Sequence, residues 1–306
     1  MKFFASLTIA ADGYASNFRK HLVKKKTETT STFVALELRD AVMPNPYHGH
    51  VVLGNNPPIL LYQISTHCTR ALIDVREKVP AAQMRAHLQS RIPDLPKVLQ
   101  PAFAEAILAR ERYPSMPNSF LPATVNTIAG LFVVGDANNM RHPLTGGGMT
   151  VAFSDVVLLR DYLSPINIPD LDDHYELASI LADFHWRRKS SPSTGSSSIN
   201  ILSMALYSLF AADSPHLRVL QKGCFVYFER GGQCVSGPAS LLAGTVRSPW
   251  VLFYHFFAVA FCGIGLLFKG AGWRLDYWAR GAVEGVQVLW TACVVLFPYI
   301  FSELRK

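Results

Sequence analysis

With 306 residues, half of them apolar, the chain has the material for one large or two ordinary domains around a sizeable core, which excludes an intrinsically disordered protein. A net charge of +7 invites a nucleic-acid reading. However, Lys24, Lys25 and Lys26 form the only dense basic run and no nucleic-acid motif accompanies them, so a basic balance in so apolar a chain suits an anionic membrane surface better.

Residues 1–11 place Lys2 ahead of an apolar run, as a short signal peptide does. The run leads straight into Asp12-Gly13, and a β-strand over residues 6–11 entering a turn is the better reading. A helix start and the charged segment 19–26 follow. Strand patterns then dominate, over 32–38, 50–53, 59–64 and 69–75, bounded by Pro, Gly and Asn turn signals. Over 81–112 the apolar spacing becomes helical, with Pro93, Pro96 and Pro101 dividing it into short pieces. Residues 128–134 return to a strand. Residues 149–163 predict a helix whose Val151, Phe153, Val156, Val157, Leu158 and Leu159 mark it as a core element. After Pro169 the pattern is helical to the end, interrupted over 190–198 by a serine-rich run with Pro192 and Gly195 that has the composition of a flexible loop. The five cysteines, Cys68, Cys224, Cys234, Cys262 and Cys293, are odd in number and lack C-x-x-C spacing. They point to neither a disulfide framework nor a metal site, and a reducing compartment is the plain reading.

The end of the chain differs in kind. Residues 250–268 hold His255 as their one side chain titrating in the ordinary range, and as a helix they nearly match the roughly 30 Å of bilayer hydrocarbon. A second apolar stretch spans 281–301, with Glu284 near its start. The connection carries Lys269, Trp273, Arg274, Asp276, Tyr277, Trp278 and Arg280, the cation and aromatic mixture of a membrane interface. A buried pair of core helices is one reading. The composition favours membrane association, as a spanning hairpin or a shallow insertion.

Chemistry concentrates in Phe132-Val133-Val134-Gly135-Asp136-Ala137 and Met140-Arg141-His142-Pro143-Leu144-Thr145-Gly146-Gly147-Gly148-Met149, which read as strand, acidic turn, glycine-rich loop and helix start. A carboxylate held at a strand's carboxyl end can accept hydrogen bonds from two neighbouring hydroxyls. Gly146, Gly147 and Gly148 remove side chains where a planar ring would need close backbone contact, and a helix beginning near Met149 turns its positive end there. A cofactor with both hydroxyls and a delocalised negative charge fits, and a flavin is such a cofactor. Taken singly, Asp136 is also an ordinary turn aspartate and the glycines an ordinary tight turn. A second element, Asp12-Gly13-Tyr14-Ala15-Ser16-Asn17-Phe18-Arg19, has the spacing D-G-x-x-S-x-x-R and sets an acid and a glycine at another strand end. His142, beside Pro143 in a turn, reads as a structural hydrogen-bonding group rather than an acid.

The D-G and G-D pairs, in this order, look like the fingerprints of flavoprotein aromatic hydroxylases and their relatives. Residues 139–151, together with 116–123, 205–212 and 221–225 (Gln221-Lys222-Gly223-Cys224-Phe225), narrow the match: the chain resembles the squalene monooxygenase (squalene epoxidase) family, particularly its fungal members, from about residue 7 onward. That resemblance implies an α/β (α+β) fold: a partial FAD-binding domain and a β-sheet substrate domain of flavoprotein-monooxygenase type, followed by a C-terminal helical membrane-associated region. Residues 1–30 and 128–165 would be the FAD-binding segments, 31–127 the substrate-domain sheet and helices, and 166–306 the helical pocket and membrane region. The implied activity is FAD-dependent epoxidation of squalene to (S)-2,3-epoxysqualene for sterol or triterpenoid synthesis. It would use O2 and an NADPH-dependent cytochrome reductase, on the endoplasmic reticulum membrane. By motif match Asp136 and Met149 would contact FAD, Gly135, Gly146, Gly147 and Gly148 would shape the contact, and Asp12 with Gly13 would support it. Such chemistry needs orientation and a dry cavity but no side-chain nucleophile, so no catalytic side chain is assigned. Leu206, Phe210 and Phe228 are the expected wall for the hydrocarbon, the first two sharing a helical face.

The family's G-x-G-x-x-G nucleotide unit, with its acidic ribose-binding residue, has no counterpart in the 306 residues. Weak or absent FAD binding by this chain alone is therefore expected, and a truncated, non-catalytic membrane paralogue is the alternative. A flavin hydroxylase acting on a polar aromatic fits the apolar C-terminal half poorly.

Overall fold

The structure, a computed structural model, describes residues 4–22, 25–190, 195–269 and 275–305. In chain order its elements are β1 (Thr8–Ala10), α1 (Arg19–Leu22), β2 (Glu28–Arg39), β3 (His50–Val52), β4 (Ile59–Ser65), β5 (Cys68–Val75), α2 (Ala81–Ser90), α3 (Gln100–Leu108), β6 (Ser115–Phe120), β7 (Leu131–Val133), α4 (Gly147–Tyr162), α5 (His174–Ser190), α6 (Ser196–Phe210), α7 (Pro215–Glu229), α8 (Gln233–Leu242), α9 (Pro249–Leu267) and α10 (Leu275–Leu304). This mixed α/β chain divides into two compact units. One comprises residues 29–119 and 210–213, the other 1–28, 120–209 and 214–306.

The first unit is a five-stranded sheet in the order β3-β4-β5-β2-β6. β2 and β5 pair antiparallel from Thr32↔Val75 to Arg39↔Cys68, and β4 pairs antiparallel with β5, with an irregularity between Gln63 and Ser65. Alternation along β2 puts Val34, Leu36 and Leu38 in the interior with Ile59, Leu61, Ala71 and Ile73, where Leu88 of α2 and Phe103 and Ile107 of α3 cover them. Each such aliphatic side chain contributes about 1.5–3 kcal/mol on burial. The edge strand β6 has no apolar alternation to announce it and contains Pro117. It is tolerated because an edge strand needs fewer ladder bonds, and it is tied in by Asn118, whose Nδ2 donates to Ser31 Oγ (2.9 Å) and Asp74 Oδ1 (3.1 Å).

In the second unit β1 and β7 form a parallel pair, Thr8↔Leu131 to Ala10↔Val133. α4 and α5 pack on it through Phe132, Val134, Leu159, Leu177, Leu181 and Phe184. The expectation of a core helix at α4 is corrected in part: Phe153, Val156 and Val157 are 68%, 53% and 51% exposed, and the helix starts two residues early, at Gly147. What it buries is Val151, Leu159 and the carboxylate of Asp155, because the apolar count of a helix does not say which face meets the core.

The expected serine-rich loop is corrected in part as well. Ser196, Ser197 and Ser198 form the first turn of α6, Ser196 and Ser198 being buried, while residues 191–194 lie outside the described residues. α10 starts earlier than expected and takes in Asp276, Tyr277, Trp278 and Arg280, which the sequence reading gave to the connection. α7 and α9 cross at their glycines: a Cβ on Gly223 would stand 2.6 Å from Gly263 N and 2.7 Å from Val259 O, so only hydrogen permits this approach. α9 and α10 are long and apolar enough to cross a membrane, and only 28% and 22% of their most apolar windows are buried, unlike a pair of core helices. His255, polar in the midst of α9, is buried and shares a 2.7 Å hydrogen bond with Tyr227 Oη.

Candidate functional site

Parallel pairing of β1 with β7 puts two acidic turns side by side at strand carboxyl ends, the position where open α/β sheets present ligand-binding loops. One turn is Asp12-Gly13. The other is Gly135-Asp136, in a single 3-10 turn with Gly135 at φ +63°, a left-handed conformation that favours glycine. Arg19 ties them together. Its Nη2 donates to the carbonyls of Gly13 (2.8 Å), Tyr14 (2.5 Å) and Asp136 (3.1 Å), and its Nε to that of Ala137 (3.2 Å).

A cavity of about 370 Å3 opens beside these turns, lined by Gly13, Gly135, Asp136, Arg141, Pro143, Gly146, Gly148, Met149 and Ala152. The acidic turn and the mouth of α4 therefore face one open space rather than packed side chains. The three loop glycines serve different ends. Gly146 takes φ +65° to turn the chain from the 3-10 turn Pro143–Thr145 into α4. Gly147 is pressed against α6, where a Cβ would stand 2.5 Å from Ile199 Cγ2. Gly148 borders the cavity, and a Cβ there would meet no described protein atom within 4 Å. Among the described residues no side chain caps the start of α4, so its first backbone amides remain available to a ligand. Thr145 secures the loop through a 2.6 Å hydrogen bond to Ser203.

Of the residues singled out from sequence, Gly13, Gly135, Asp136, Gly146, Gly148 and Met149 line the cavity, while Gly147 supports it from behind. Asp12 is turned to a local task. Its carboxyl is held below the usual carboxylate range, first by the Ser16 hydroxyl, with the Asn17 amide donating to it at 2.9 Å. His142 accepts from the Leu144 amide (3.2 Å) and stacks on Tyr207, ring centroids 3.7 Å apart. A second cavity, of about 350 Å3, is apolar. It lies where α5 and α6 meet the start of α9 and the end of α10, bordered by Trp186, Ile201, Trp250, Phe253, Leu296 and Ile300. Leu206 and Phe210 on α6 and Phe228 on α7 are half-buried, and none of the three lines either of these cavities.

One group in the first cavity escaped the sequence reading, which weighed His142 and passed over its neighbour. Arg141 is 7% exposed, and burial, with Arg188 nearby, pulls its guanidinium down to about 10. The available signal was an arginine inside a run of glycine, proline and apolar residues, where an unpaired charge is costly.

The fold has counterparts among solved structures. It superposes on Klebsiella pneumoniae HpxO, crystallised with FAD and uric acid, at a TM-score of 0.58, with 15% identity over 80% of this chain and 60% of that one. A second HpxO structure, a single-residue variant crystallised with FAD, gives 0.56 at 15% identity, over 78% and 59%. The chain belongs to the squalene epoxidase family, whose model matches residues 4–277. Squalene epoxidase erg1 of Aspergillus fumigatus is 50% identical over 98% of this chain and 62% of its own length. Squalene epoxidase ERG1 of Saccharomyces cerevisiae is 46% identical over 99% and 60%, and the squalene monooxygenase of Mus musculus 42% over 98% and 51%. The chain thus spans between 51% and 62% of the length of these three relatives.

Proposed function

We propose that the protein takes part in FAD-dependent epoxidation of squalene to (S)-2,3-epoxysqualene, supplying the face of the site that holds the flavin ring. The observation that carries this reading is the one cavity shared by Asp136, the uncapped start of α4 and the loop glycines in a chain of this family. The residues fit the group: Gly146 and Gly148 leave backbone open to a flat ring, and Arg141 brings a buried cation whose Nε has no partner among the described residues. Asp136 would accept hydrogen bonds from ribityl hydroxyls, and the amides of Gly148 and Met149 would meet the electron-rich edge of the ring. Bound FAD supplies the oxygen chemistry, with electrons from an NADPH-dependent cytochrome reductase.

The chain's own contribution is to orient the ring and to keep water away from it. α9 and α10 would hold the protein at the endoplasmic reticulum membrane, and the apolar cavity at their feet lies where a hydrocarbon leaving the bilayer would first meet the folded part. Leu206, Phe210 and Phe228 are kept as proposed hydrocarbon contacts on the family resemblance alone, since none of them lines either cavity. The test is detergent-purified protein given FAD, reductase, NADPH and squalene, with epoxide measured by mass spectrometry and bound flavin by its absorbance. At saturating FAD, epoxide formation is expected, with flavin uptake weakened at least tenfold in Asp136→Ala; protein that stays inactive and takes up no flavin even at saturating FAD counts against the reading.

A further inference from the structure

Behind the glycine loop runs a buried polar chain. Arg141 Nη2 donates to Asn139 O (2.7 Å) and Oδ1 (2.9 Å), and Arg141 Nη1 to Gly147 O (3.4 Å). Asn139 Oδ1 also receives Asn200 Nδ2 (3.1 Å), which donates onward to Glu303 Oε1 (2.9 Å) near the end of α10. Arg188 Nη2 approaches Asn139 Oδ1 at 3.5 Å, but its charge is matched in a two-point pair with Asp155, at 2.9 and 2.6 Å. All of these side chains are buried.

Arg141 has no such carboxylate among the described residues. Its hydrogen bonds end on neutral oxygens, its shielded Nε has no partner there, and the carboxylates of Asp136, Asp155 and Glu303 act on it only through space, although the residue lines the cavity. A buried cation with an idle donor costs free energy unless something completes it. Asp136, on the same cavity, is positioned for hydroxyls, and the uncapped mouth of α4 adds positive potential beside Arg141.

We propose that Arg141 is the cofactor-contacting cation that receives the anionic edge of the reduced flavin ring, and that Asn139, Asn200 and Glu303 are positioning residues that hold it at the cavity. The inference rests on the flavin reading above. It predicts that Arg141 favours the reduced over the oxidised cofactor, which a two-electron midpoint potential reads directly.

The experiment compares flavin-reconstituted wild type, Arg141→Gln, Arg141→Lys and Asn139→Asp. Arg141→Gln should bind oxidised FAD within about threefold of wild type yet lose at least tenfold in preference for reduced FAD, a potential about 30 mV more negative. Arg141→Lys should recover most of the shift. Asn139→Asp sets a carboxylate on Arg141, with loss of the hydrogen bond that Asn139 Nδ2 donates to Leu121 O (2.8 Å), and should lower the potential in the same direction. It decides the matter if Arg141→Gln does not fold. Unchanged potentials in flavin-loaded variants overturn the role of Arg141. Wild-type protein that takes up no flavin instead overturns the reading underneath, and shows itself as a missing chromophore rather than a static potential.

Discussion

In the sheet unit Val34, Leu36, Ile59, Ile73 and Phe103 meet in an apolar interior, whereas behind the glycine loop of the helical unit the interior holds Arg141, Arg188, Asp155, Asn139, Asn200 and Glu303. The first arrangement draws its stability from area removed from water. The second returns little net stability, since the desolvation of each buried charge must be offset by geometry. What it provides is a fixed orientation of polar groups around a cavity. The two interiors should therefore respond differently to substitution.

The largest effect is expected at the buried ion pair. Asp155→Ala leaves Arg188 charged and unpaired and should cost about 3–5 kcal/mol in denaturant unfolding, whereas replacing both partners by apolar residues of similar volume should recover much of the loss. Recovery would show that the pair's value is orientation rather than stability. Next comes Gly147→Ala, whose Cβ would stand 2.5 Å from Ile199 Cγ2, so overpacking of about 1–3 kcal/mol is expected. Shortening Ile199 in the same chain should relieve it, and a double-mutant cycle measures this coupling.

A smaller loss belongs to the sheet. Ile73→Val removes one methylene from a fully buried side chain and should cost about 0.5–1.5 kcal/mol, with flavin uptake unchanged.

A last effect is one of pH, and it is read as a slope. Burial, reinforced by Lys189 and Arg188, pulls His185 down to about 4, so the unfolded chain takes up this proton first as pH falls. The stabilising contribution of neutral His185 is present above about 6.5 and is lost progressively as pH falls toward 4. His185→Gln should flatten that part of the stability profile, and an unchanged slope would count against a buried neutral imidazole.

Much of the site was legible because its parts are local. Gly135-Asp136 and Asp12-Gly13 each announce a strand end, and the three glycines announce a helix start without side chains. Hidden were the features made by distant partners. Asp155 is a carboxylate on an apolar helix, and nothing nearby in the sequence names Arg188, 33 residues on, as its partner. β6 was invisible because Ser115, Pro117, Asn118 and Ser119 are poor strand formers, held by position in the sheet. The early start of α10 was missed because Asp276 and Arg280 resemble a connection, although a first-turn aspartate suits a helix N-terminus.

The parallel match of Thr8 with Leu131 also sets a timetable. On a ribosome adding about 5–20 residues per second, β1 waits some 6–25 seconds for its mate, with residues 29–119 of the sheet unit emerging in between. Through that interval the edge that later meets β7 is open to stray strands. The cavity beside the acidic turns thus forms only after most of the sheet unit has been made, and newly made protein passes through a stage in which those turns have yet to meet.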